Sequence, residues 1–131
     1  MIIYKRDQTI SAAQLGLLFK NSGINRPYED MVRLEEMIQA APLLITAWDE
    51  GELIGVARSL TDYVYCCYLS DLAVDKKYQK DGVGKELIKQ TQEAIGEACS
   101  LILLSAPEAM GYYPKVGFDH ANNCFLIKRK R

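Results

Sequence analysis

Apolar residues change their spacing repeatedly along this chain, and the elements follow from those changes. Ile2 to Lys5 reads as a short strand. Ser11-Ala12-Ala13-Gln14 is a capping-box pattern, in which Ser11 bonds the amide three residues on and Gln14 reaches back. Leu15, Leu18 and Phe19 then fall at helical spacing, ending near Asn21-Ser22-Gly23. Asn25-Arg26-Pro27 predicts a second helix start, with Pro27 in the first helical position and Glu29 and Asp30 in the first turn. Met31, Leu34, Met37 and Ile38 form its apolar face, and Pro42 closes it.

Strand-like spacing follows. Leu43 to Trp48 predicts a strand, and Asp49-Glu50-Gly51 a tight hairpin loop with its glycine at positive φ. Glu52 to Leu60 returns as the next strand. Thr61-Asp62 turns, and Tyr63 to Val74 predicts a long strand of aromatic and β-branched residues. These three strands read as an antiparallel meander.

After Val74 the period becomes helical again. Val83, Leu87, Ile88, Thr91, Ile95 and Ala98 share one face, with Lys85, Glu86, Lys89, Glu93 and Glu97 on the other. Leu101 to Leu104 is a continuous apolar run, the pattern of a buried strand. Strand, crossover helix and buried strand make a βαβ unit, so Tyr63–Val74 and Leu101–Ser105 are expected to be parallel neighbours. Pro107 to Tyr113 reads as a short helix. Phe118 and Phe125 to Lys128 read as a closing hairpin turned through Ala121-Asn122-Asn123. The expectation is an α/β (α+β) fold with a mixed sheet, as one domain over residues 1–131.

Composition narrows the function. The chain has 131 residues, 49% of them hydrophobic, enough for a core without disulfide staples. Lys and Arg number 16 against 17 Asp and Glu, so the net charge of -1 speaks against broad attraction to nucleic acid or membrane surfaces. Lys128-Arg129-Lys130-Arg131 reads as a solvated basic tail. No signal-peptide pattern and no bilayer-length apolar stretch occurs, so a cytoplasmic setting is expected. The cysteines Cys66, Cys67, Cys99 and Cys124 form no C-x-x-C pair, so neither a zinc site nor a disulfide framework is expected, and no metal.

The stretch DKKYQKDGVGK, residues 75–85, joins the long strand to the helix. One reading is a turn: Asp81-Gly82 is a common turn dipeptide, and Asp81 is placed to cap the helix. A P-loop fails, because Glu86 follows Gly84-Lys85 and Gln79 fills the first glycine slot. The dinucleotide pattern fails at Leu87. The remaining reading is an anion site. The first amides of a helix lack partners and carry partial positive charge, Gly82 and Gly84 let a ligand approach, and Lys76, Lys77, Lys80 and Lys85 surround it.

Leu72-Ala73-Val74 followed by Gln79-x-x-Gly82-x-Gly84 resembles motif A of the GCN5-related N-acetyltransferases, the GNAT superfamily. Downstream, Tyr112-Tyr113-Pro114-Lys115-Val116-Gly117-Phe118 resembles the family's second signature. The run Ala57 to Asp62 also resembles small bacterial and plastid-type members. The resemblance spans Leu43 to Phe118. It implies a mostly antiparallel twisted sheet with a central, splayed parallel strand pair, flanked by helices.

The resemblance also implies a ligand, acetyl-coenzyme A (acetyl-CoA), and roles for residues. Its pyrophosphate would sit on amides of Gln79, Lys80, Asp81, Gly82, Val83, Gly84 and Lys85. Its pantetheine arm would pair with the main chain of Leu72, Ala73 and Val74, as an added strand does. An amide near Leu72 would polarise the acetyl carbonyl. Tyr113 matches the tyrosine that protonates the departing thiolate; a phenol of pKa ~10 keeps its proton at neutral pH. Tyr112 is the packing aromatic. Asp71 is the candidate general base, with Glu29, Asp30 and Asp62 as further carboxylates for the acceptor groove. Ala106 stands where many members carry a cofactor-binding asparagine, leaving Ser105 a weaker contact. His120 reads as a surface histidine and Trp48 as a sheet-packing residue.

The expected function is direct acetyl transfer to an amine, with a small molecule as acceptor. Acetylation of a protein lysine or N-terminus, or a non-catalytic acyl-CoA-binding module, stays open. So does the oligomeric state, a homodimer included. The acceptor side would be built from Gly23–Ala40.

Overall fold

The computed structural model describes residues 1–131. Five strands form one sheet in the order β1 (Ile2–Arg6), β2 (Leu43–Asp49), β3 (Glu52–Thr61), β4 (Cys66–Val74) and β5 (Ser100–Ile102). The first three pairings are antiparallel and β4 with β5 is parallel. Helices α1 (Ala12–Ser22) and α2 (Met31–Ala40) cover one face, and α3 (Val83–Ile95) covers the other.

Alternation along the strands divides the core. Leu43, Ile45 and Ala47 of β2 pack with Val83, Leu87 and Ile88 of α3. Leu44 and Trp48 turn the other way, against Leu15, Leu18 and Phe19 of α1 and Leu34 of α2. With apolar partners on both faces, β2 is buried at every position but its last, which explains why Thr46 is the only polar residue among its buried positions. Trp48 packs in the sheet as expected, donating from its indole nitrogen to Thr46 Oγ1 at 2.7 Å.

Several local readings hold in detail. The capping box at Ser11 and Gln14 is complete, with bonds of 3.0 and 2.9 Å in the two directions. The hairpin between β2 and β3 turns on Glu50 and Gly51, both at positive φ.

Other boundaries move. Helix α2 begins at Met31, four residues after Pro27, because the Asp30 side chain caps it by accepting from the Arg33 amide. Strand β4 begins at Cys66. Asp62 Oδ1 accepts from the amides of Val64, Tyr65 and Cys66, which holds residues 62–65 in a turn. Helix α3 ends at Ile95, before Ala98, at Gly96 with φ 80°.

The region after α3 departs furthest. β5 is three residues long and lies at the sheet edge with its side chains partly exposed, where the sequence suggests a buried strand. Pro107–Ala109 and Tyr113–Val116 are separate 3₁₀ turns. No closing hairpin forms between Phe118 and Lys128, and no strand follows β5. The chain instead runs back toward α2, where Arg33 Nη2 donates to the Arg131 carbonyl at 3.2 Å.

Candidate active site

Strand β4 carries an extra residue. Asp71 sits opposite Arg58 and Leu69 opposite Ser59, so Ser70 has no partner across the ladder. Such a bulge reverses the alternation. Cys67 and Leu69 face α3, whereas Asp71 and Ala73 face α1 and α2. Pairing with β5 stops at Tyr68 and Ile102. Beyond that point β4 and β5 diverge, and the Leu72–Val74 segment borders the opening.

Past Val74 the chain is fastened at three points. Asp75 accepts from the Lys77 amide at 2.9 Å. The Tyr78 hydroxyl donates to Asp49 Oδ2 at 2.6 Å, and that bond pushes the Tyr78 pKa up to about 12 while lowering that of Asp49. Gln79 Nε2 donates to the Val74 carbonyl at 2.9 Å and to the Ser22 carbonyl, at the end of α1, at 3.2 Å.

Gly82 then takes φ 74°, ψ 14°, the left-handed conformation that glycine adopts without strain. Asp81 does not cap α3: no side chain bonds its first turn. The first helical bond runs from the Glu86 amide to the Gly82 carbonyl at 3.1 Å, so the amides of Val83, Gly84 and Lys85 precede the ladder. Space is open above Gly82, and a Cβ there would meet nothing within 4 Å. Lys77, Lys80 and Lys85 are exposed and near this helix start in sequence, whereas the Lys76 side chain reaches across to Gly23 at the end of α1. Unpartnered amides, the positive end of a helix and mobile cations make an arrangement that fits an anion such as a diphosphate.

Tyr112 belongs to this cleft. A Cβ on Gly84 would lie 3.0 Å from the Tyr112 hydroxyl, so that phenol reaches the helix start. The Tyr113 ring packs edge-on against Tyr112 and Phe118, with centroids 5.2 and 5.5 Å apart. Burial and the neighbouring Tyr112 raise the Tyr113 pKa, with Arg26 opposing them weakly.

Tyr113 and Leu72 line a cavity of about 510 Å³, together with Arg26, Tyr68, Ser105 and Glu108. Glu108 is the one carboxylate among its walls, and it is exposed. Ser105 donates its hydroxyl to the Ala106 carbonyl at 2.7 Å and is thereby engaged locally.

The geometry of Asp71 differs from that of a general base. It is wholly buried, and its two oxygens accept from Arg58 and Arg26. The same arginines hold Ser70: Arg58 donates to its hydroxyl at 3.1 Å and Arg26 to its carbonyl at 2.7 Å. An anion already shared between two guanidiniums takes a proton only by giving up an ion pair. Asp71 therefore anchors the bulge. Asp62 is consumed by the turn before β4 and Asp30 by the α2 cap.

Sequence reasoning assigned nothing to Arg26 or Arg58, and treated Arg129 only as part of a solvated tail. The signal was present in Arg58, a cation within an apolar strand, but its partner lies beyond a bulge that no local pattern reveals.

Comparison with known proteins identifies a family and a fold. A family model described as an acetyltransferase (GNAT) domain matches residues 18–126. The chloroplastic GCN5-related N-acetyltransferase 1 of Arabidopsis thaliana is 26% identical over 140 residues, covering 99% of this chain and 69% of that protein. A GNAT-family acetyltransferase of Streptococcus pneumoniae superposes with a TM-score of 0.80 at 22% identity, over 99% of this chain and 100% of the other. An aminoglycoside N-acetyltransferase solved with CoA gives 0.73 at 17% identity, over 100% of this chain and 96% of its own.

Proposed function

The chain belongs to the GNAT acetyltransferase family, and from that premise we propose that it moves the acetyl group of acetyl-CoA directly to the amine of a small molecule. The observation that carries the reading is the uncapped start of α3 at the mouth of the β4–β5 opening, with Tyr113 on the wall of the adjoining cavity.

The amides of Val83 to Lys85 receive the diphosphate, with Lys80 and Lys85 screening its charge and Gln79 and Asp81 shaping the loop. The main chain of Leu72, Ala73 and Val74, which β5 does not pair, bonds the pantetheine amides and aims the thioester at the cavity. Glu108 takes the proton of the incoming ammonium, directly or through water, because an amine attacks only when neutral. The nitrogen lone pair then forms the new N–C bond. The C–S bond breaks with its electrons on sulfur, the Tyr113 hydroxyl gives that sulfur a proton, and the extra proton left on the new amide nitrogen passes through water back to the Tyr113 phenolate. Burial suits Tyr113 to the task, since its raised pKa keeps it protonated.

An amine panel with acetyl-CoA, read by free thiol release, tests the reading. Acetylation of small amines supports it, and thiol release with peptides alone moves the acceptor to protein. Tight acetyl-CoA binding without release on any acceptor leaves a binding module instead.

A further inference from the structure

Beside the reaction cavity lies a second one, of about 230 Å³, whose walls carry Arg26, Arg33, Arg58 and Arg129. Asp71 is the single carboxylate among them. The arginines come from the α1–α2 connection, α2, β3 and the chain after Phe118, so no local pattern accounts for their meeting. Arg58 is nearly buried and the Arg26 side chain is 25% exposed. Asp71 answers only Arg26 and Arg58, whereas Arg33, half-buried, bonds just the Arg131 carbonyl and Arg129 is exposed, so four guanidiniums stand against one carboxylate and two of them are open to a further anion.

Donors are also to spare. Arg58 bonds Asp71, the Met37 carbonyl and Ser70, and Arg26 bonds Asp71, the Asn25 carbonyl and the Ser70 carbonyl. Each guanidinium has five N–H groups, so each retains donors beyond these. The two cavities share Arg26, Tyr68 and Ser70, and so adjoin.

We propose that the acceptor is an amine bearing its own anionic group, a carboxylate or a phosphate, which Arg33 and Arg129 grip in this arginine-lined cavity while the amine lies near Glu108. The proposal rests on the transferase reading above. Planar forked donors suit both anions. A zwitterion fits the two charges of the site, whereas a polycationic amine meets like charge at the arginines.

Matched amines test this: β-alanine against β-alaninamide for the carboxylate, and O-phosphoethanolamine against ethanolamine for the phosphate. The expected result is a preference of about tenfold in kcat/KM for an anionic member over its neutral partner. The double variant Arg33→Gln, Arg129→Gln should erase that preference through KM, leaving kcat and turnover of the neutral amine in place. Equal use of both partners, or preference for the neutral ones, overturns the proposal. A second measurement is independent of turnover: with CoA saturating the α3 site, succinate or inorganic phosphate should raise the melting temperature of the wild type and not of the double variant. No shift, or the same shift in both, also overturns it. Absence of thiol release with every amine defeats the transferase reading, while the anion titration still decides the arginine site.

Discussion

Gln79 joins two layers of the molecule by one amide nitrogen, which reaches the last carbonyl of β4 at 2.9 Å and the last of α1 at 3.2 Å. The loop that faces the anion site therefore takes its position from Gln79 as much as from its glycines. Gln79→Ala removes both bonds, each worth ~1 kcal/mol. Affinity for acetyl-CoA should fall about tenfold by calorimetry, and the melting temperature by several degrees. Unchanged affinity would show that the loop holds its shape without this tie.

Gly84 and Tyr112 are coupled sterically. Gly84→Ala places a methyl 3.0 Å from the phenol oxygen, which must shift. The variant should bind acetyl-CoA more weakly, and adding Tyr112→Phe, which deletes the offending atom, should restore part of the loss. Additive losses in the double variant would deny the contact.

Tyr113→Phe deletes the proposed acid and leaves the ring packing against Phe118 intact. A fall in kcat of roughly a hundredfold is expected, with acetyl-CoA affinity near wild type. Because burial raises its pKa, any alkaline limb that Tyr113 imposes on the rate should lie above about 10. A limb near neutrality that vanishes in Tyr113→Phe would contradict the assignment.

Asp71→Asn should act on stability before chemistry. It leaves Arg58 and Arg26 without their shared anion, at a cost of about 3–5 kcal/mol in urea unfolding. The shape of the pH–rate profile should not change. Glu108→Gln is the contrast: near-normal stability with kcat roughly a hundredfold lower. That loss of kcat in Asp71→Asn, absent in Glu108→Gln, would return the base to Asp71.

Tyr78 gives a pH signature. Its folded pKa of about 12 exceeds the unfolded value of ~10, because its proton is held against Asp49. The bond's contribution is complete below pH 10 and declines as pH rises from 10 through 12. Tyr78→Phe should flatten that part of the stability curve, followed by thermal melts across the range.

What could be read beforehand was mostly what neighbours in sequence decide. The Ser11–Gln14 box, the Glu50-Gly51 turn and the α3 face each depend on contacts within a few residues. Even there, Asp30 and Asp62 moved boundaries, because a carboxylate can claim backbone amides that a hydrophobic pattern assigns to helix or strand. The phosphate-loop region was legible through its glycines, and its fit to an anion follows from an absent cap. The ion pairs of Asp71 were not legible for a different reason. Its partners lie 13 and 45 residues away, and its facing is set by the unpaired Ser70. Arg129 was invisible as a wall of a cavity, since only the path of the chain after Phe118 brings it there.

The bulge at Ser70 has a consequence for how this strand tolerates change. Deleting that one position would hand the carboxylate to the apolar layer under α3 and strand two arginines in the other. Much milder edits, such as swapping Leu69 for another aliphatic, would pass almost unfelt. The strand thus keeps its polar and oily sides apart by counting, and its arithmetic is more fragile than its spelling.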